Sequence, residues 1–139
     1  MASFNKINDF VQDLGEEVHD LASDQLVVAL TNTAVVATNG QLSDLTAVIA
    51  NTNLGGAGAF NITTTSFTNT TGTSKLILAD LVLTATGAAG PFRYVAIYND
   101  TASNDELIGW YDYGSSVTLA NGDTFTLNFD GSAGVLTIA

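Results

Sequence analysis

The chain has no cysteine, one histidine, one proline and only three basic residues, Lys6, Lys75 and Arg93, among 139. Without cysteine there is no disulfide, thiolate nucleophile or zinc–sulfur site, so stability has to come from packing or assembly. No stretch approaches the roughly 18 apolar residues of a membrane span. The opening MASFNKINDF lacks the basic segment and apolar run of a secretory leader, so we expect cytoplasmic synthesis without processing.

The scarcity of basic residues leaves a formal net charge of −11. Such a charge repels phosphate backbones and anionic headgroups, which argues against nucleic acid and membrane as partners. The same charge also keeps an apolar-rich chain soluble. Charged residues make up 12% of the sequence, against about 25% in an ordinary domain, and hydrophobic ones 46%, so the chain can bury a core. Its length suits one domain, residues 1–139.

Catalytic equipment is sparse. A Ser–His–Asp arrangement needs a base, and His19 is the one histidine. Ser23 follows at a spacing that shares a helix face, yet neither a nucleophile elbow nor oxyanion donors accompany it. We read His19 as a partly exposed helix residue among Glu16, Glu17 and Asp20. Asp100, Asp105 and Glu106 gather in NDTASNDE, but the alternate ligands, central Gly and closing Glu of an EF-hand are missing, so a solvated hairpin loop is expected. The glycines of LGGAGAF lack the Lys-Ser/Thr of a phosphate loop and the strand-to-helix setting of a dinucleotide fingerprint. Asn61, Asn69 and Asn99 each open an Asn-x-Thr triplet in a sequence rich in both residues. No catalytic, cofactor or metal residue is assigned.

Apolar residues from Ser3 to Leu21 follow a helical period, with Phe4, Val11 and Val18 on one ladder and Ile7, Leu14 and Leu21 on another. This predicts one amphipathic helix over 3–21, capped by Ser3 and weakened by Gly15, whose stripe needs something to dock on. From Gln25 the period switches to that of a strand. Asn32–Ser74 is rich in Thr, Asn, Ala and Gly and is expected to form loops and short edge strands, mobile unless a partner orders them.

Strand signals then become regular. They comprise Leu76–Thr86 ended by a turn at Ala88–Pro91, Phe92–Tyr98, Leu107–Tyr113, Ser116–Leu119, and a hairpin at Asn121-Gly122. Phe125, Leu127 and Phe129 alternate with Thr124, Thr126 and Asn128, which predicts one core face. Val135–Ile138 closes the chain after a turn at Asp130-Gly131. Short strands at intervals of about 8 to 12 residues predict a mainly β fold, an antiparallel jelly-roll-like sandwich or barrel over 25–139 with the N-terminal helix. The aromatics Phe92, Tyr94, Tyr98, Trp110, Tyr111 and Tyr113 fall on two consecutive strands. They serve a core, a protein interface or a sugar platform.

Two segments, Asn5–Asn32 and GPFRYVAIYNDTASNDELIGWYDYGSSVTLANGDTFTLNFD from Gly90 to Asp130, resemble small virion structural proteins of tailed bacteriophages, most closely capsid decoration (cement) proteins. The resemblance implies a non-enzymatic protein on the capsid exterior that binds the major capsid protein and clamps neighbouring capsomers, commonly as a homotrimer. The candidate contact residues are then Phe4, Ile7, Phe10, Val11, Leu14 and Val18 of the N-terminal stripe, with Tyr94, Tyr98, Trp110, Tyr111 and Tyr113 of the strands. The rival readings are a tail-tip or fibre-associated module stacking host glycans on Trp110 and Tyr111, a small hydrolase using carboxylate pairs, and a free carbohydrate-binding domain.

Overall fold

The computed structural model describes residues 2–139. The order of elements is β1 (Phe4–Lys6), α1 (Phe10–Gly15), β2 (Leu26–Thr31), β3 (Asn61–Ile62), β4 (Thr64–Thr70), β5 (Thr73–Leu78), β6 (Leu81–Thr84), β7 (Ala89–Asn99), β8 (Leu107–Leu119), β9 (Thr124–Leu127) and β10 (Leu136–Ile138). Short 3-10 turns at Leu42–Asp44 and Asn51–Asn53 interrupt the connection from β2 to β3. The strands form three antiparallel sheets, of order β1-β8-β7-β2-β3, β10-β5-β4 and β6-β9. The fold is therefore mainly β, and none of the sheets closes into a barrel.

The sheets share one apolar cluster. Every residue of β2, LVVALT, is buried, which is why this strand reads as a continuous apolar run. Fully buried side chains such as Phe92, Leu26, Leu30, Leu76, Ile97 and Ile108 each stabilise the fold by about 1.5–3 kcal/mol. Phe92 of β7 meets Phe125 of β9 edge-on, with ring centroids 5.0 Å apart, and so joins the large sheet to the two-stranded one.

The N-terminal helix is much shorter than its sequence period suggests. Phe4–Lys6 instead extend along β8, with Phe4 opposite Tyr111 and Lys6 opposite Gly109. The edge of an eleven-residue-plus hairpin offers β1 a ladder and an aromatic partner, and a helix with Gly at its centre cannot match that. Asp9, not Ser3, sits at the helix N-cap, and beyond Gly15 the chain turns away with Glu17 at φ 64°. Ile7 and Phe10, expected in an interface, are core residues, and Val11 is the exposed one, at 55%.

Other boundaries also move. The apolar run Leu76–Thr86 is split at Ala79–Asp80 because its halves belong to different sheets. Ala88–Pro91 is not a turn between strands, since β7 begins at Ala89 and passes through Gly90 and Pro91 in an irregular register. A Cβ on Gly90 would lie 2.6 Å from the Val117 carbonyl, and φ there is +120°, so glycine is what lets β8 approach. Leu107–Leu119 is one strand, not two. Asn121-Gly122 does turn the chain, but β9 pairs with β6 and not with β8. Within Asn32–Ser74, Leu54, Phe60 and Ile62 are buried in the common core and tie the segment down.

Candidate functional site

Two places concentrate chemistry. The first is an apolar groove of about 290 Å³ between the large sheet and β9. Val95 and Tyr111 are opposite one another on β7 and β8, so their side chains share a face of the sheet. Tyr113, two residues further along β8, shares that face, and the alternation of β9 supplies Phe125 and Leu127 from across the gap, with Phe129 just beyond the strand. The floor residues Val95, Phe125, Leu127 and Phe129 are buried, and Tyr113 at the rim is 54% exposed. Tyr111 packs against Phe4 at 5.3 Å and Phe129 at 6.2 Å, and Tyr113 against Phe125 at 5.4 Å. Burial, with the Asp130 carboxylate adding to it, pushes the Tyr111 hydroxyl up to about 12. The groove therefore presents phenol and hydrocarbon surface, with no carboxylate, amine or imidazole in its lining.

The second is the corner where residues 13–24 meet the loop from β7 to β8. Its hub is Asn99, which is fully buried. The Asn99 side-chain oxygen accepts from the Thr101 and Ala102 amides at 3.0 and 3.2 Å. That fixes the amide orientation, and Nδ2 donates to Asp24 Oδ2 at 2.6 Å and reaches His19 Nδ1 at 3.1 Å and the Val18 carbonyl at 3.4 Å. His19 Nδ1 is then an acceptor, and the ring proton sits on Nε2. Nε2 is buried without a hydrogen-bond partner, 4.0 Å from Asp13 Oδ2. Phe10 stacks on the ring at 5.5 Å.

This corrects the expectation that His19 is a partly exposed helix residue, because it lies beyond α1 and is only 5% exposed. Burial holds its pKa below the usual value, against the pull of Asp13, Glu106 and Asp24. Glu106 is buried too. Desolvation raises its carboxyl, but bonds from the Asn104 side chain and from the Glu106 and Asn104 amides outweigh this and leave it lowered. A polar groove of about 380 Å³ beside the corner is lined by Asp20, Asp24, Thr101 and Glu106, with Val18. Among the described residues no three His, Cys, Asp or Glu side chains converge at metal-binding distance.

The candidate contact residues are thus dispersed. Phe4, Tyr111 and Tyr113 gather at or beside the groove, whereas Leu14 and Val18 are half-buried near the polar corner and Ile7 and Phe10 are core. Trp110, half-buried, alternates with Tyr111 and faces the opposite side of β8. Tyr94 carries the Arg93 guanidinium 5.3 Å above its ring, while Arg93 forms a two-pronged pair with Asp112 at 2.7 and 2.9 Å. Tyr98 is half-buried, and burial, then Asp100 and Asp105, raises its hydroxyl. Val95 carries no local signal in the sequence, and Asn99 stands out there only as the start of an Asn-x-Thr triplet, which does not mark it as a buried hub. Compared with known proteins, the chain matches no family model, no curated sequence and no solved structure.

Proposed function

We propose that this chain is a non-enzymatic structural protein that docks on another protein surface through the groove between β8 and β9, and that the surface is the exterior of an assembled phage capsid. The observation that carries the reading is the groove itself, with its buried apolar floor, an exposed Tyr113 at its rim and no ionised side chain among its lining residues. Interfaces are anchored by aromatic side chains in desolvated pockets of this sort. The non-enzymatic part is supported by the placement of His19, whose Nδ1 is committed to Asn99 and whose ring is walled off from solvent. The resemblance of both chain ends to decoration proteins supplies the capsid and the clamping of capsomers. Packing of Phe92 on Phe125, which sets the two-stranded sheet against the large one, supports a sandwich-like layering.

The glycan-binding reading is weaker on this geometry. Trp110 and Tyr111 lie on opposite faces of β8 and form no joint stacking platform.

Electron microscopy of virions of the encoding phage, labelled with antibody to this chain, tests the proposal. Regular labelling of heads is expected; labelling of tails alone, or of no virion part, overturns it.

A further inference from the structure

The open sheet edges of this protein are not alike. β1, β3 and β10 are three, two and three residues long, and β6 and β9 four each. Such short edges give another chain little backbone to pair with, and β8, which runs on past β1 from Asp112, carries a charge there and is bulged between Asp112 and Val117. β4 has seven residues and, among the described residues, pairs with β5 alone. An antiparallel ladder turns every second N–H and C=O away from its partner, and no backbone bond outside the ladder engages residues 64–70.

Long edges are ordinarily blunted by Lys, Pro or a strategically placed charge. β4, TTSFTNT, has none of these. The neutrality extends well beyond it, since no Asp, Glu, Lys, Arg or His occurs between Asp44 and Lys75. In a chain of net charge −11, like-charge repulsion opposes self-association across most of the surface, and this segment is where it is least.

We propose that β4 pairs antiparallel with β4 of a second copy, so that two β10-β5-β4 sheets become one continuous sheet. The bulge between Thr64 and Ser66 limits the pairing to Ser66–Thr70. A two-fold axis at Thr68 sets that residue against the partner subunit's Thr68, Ser66 against the partner subunit's Thr70, and Phe67 against the partner subunit's Asn69. Those five residues run hydroxyl, Phe, hydroxyl, Asn, hydroxyl, so the register is self-complementary, as a two-fold contact requires. Ser66, Thr68 and Thr70 share one face, where cross-strand hydroxyl pairs hydrogen-bond. The contact is independent of the groove, and because a two-fold edge pair is closed it cannot by itself build a three-fold ring.

Sedimentation equilibrium of the full chain, from micromolar to sub-millimolar concentration, is the test. A reversible dimer of the 14.4 kDa chain is expected. Thr68 is exposed, so Thr68→Glu should leave the unfolding midpoint unchanged and weaken the dimer roughly tenfold or more by opposing two carboxylates. Because the chain lacks cysteine, Thr68→Cys introduces one thiol per copy; oxidation should give a covalent dimer, whereas Thr137→Cys, on the far strand of the same sheet, should not. A chain that stays monomeric throughout overturns the proposal. So does any oligomer that Thr68→Glu leaves intact and Thr68→Cys fails to cross-link.

Discussion

The Asn99 corner and the Tyr113 groove are built on the same hairpin, β7–β8, and they spend its side chains in opposite ways. At Asn99 both side-chain polar atoms are buried and matched, and the result is a joint that holds residues 18–24 and 101–102 to the sheet. At Tyr113 the strand carries apolar surface that its own chain leaves open. One end of the hairpin is therefore tied into its own chain, and the other leaves open the apolar surface that the proposed docking would use. Buried polar groups can serve either role, but a fully tied amide has nothing left to offer a ligand.

Breaking the joint should have the largest effect. Asn99→Ala removes the donor to Asp24 and the acceptor for two amides, and is expected to cost about 3 kcal/mol in urea unfolding without altering the groove side of the hairpin. Acid should loosen the same joint by a smaller amount. Because burial lowers the pKa of folded His19, its contribution is fully present above the unfolded value of about 6.5 and is lost as the pH falls from there through the folded pKa. A protonated Nδ1 would also face the Asn99 donor. Stability measured from neutral pH downwards should therefore fall more steeply for the natural chain than for His19→Gln; parallel curves would mean that the ring carries no such linkage. Tyr113→Ala on the groove side should change stability by less than about 1 kcal/mol, since the side chain is more than half exposed and its aromatic contact is with Phe125.

Legibility in the sequence followed the range of the contacts. The alternation of Phe125, Leu127 and Phe129 was readable because a strand's period is local, and the structure buries all three. β7 and β8 were readable for the same reason, except where Gly90-Pro91 looked like a turn and is instead an irregular stretch of strand, and where β8, one strand, was divided at Gly114-Ser115. The helix was overextended because Phe4 satisfies a helical period equally well, and its actual partner, Tyr111, is distant in sequence. The hairpin signal pointed to Asn121-Gly122, but the two-residue hairpin turn is at Thr71-Gly72, with φ values of 50° and 89°. Threonine is a poor residue for positive φ, which hid the turn; Thr71→Asn should relieve that strain and raise stability by about 1 kcal/mol in the same unfolding assay. Of the candidate site, the tyrosines were visible as an aromatic cluster. Which face of the sheet stayed open was not, because it depends on where β9 lies, and β9 pairs with β6.

The account's central claim is that the groove is the docking surface. If the surface is a phage capsid, as proposed, its most direct test is the affinity of Tyr113→Ala for purified capsids, measured beside the natural chain and with folding verified. A rim aromatic acting as an anchor predicts a loss of about 2 kcal/mol, roughly thirtyfold in Kd, at nearly unchanged stability. Saturation of the capsids at unchanged affinity would contradict it.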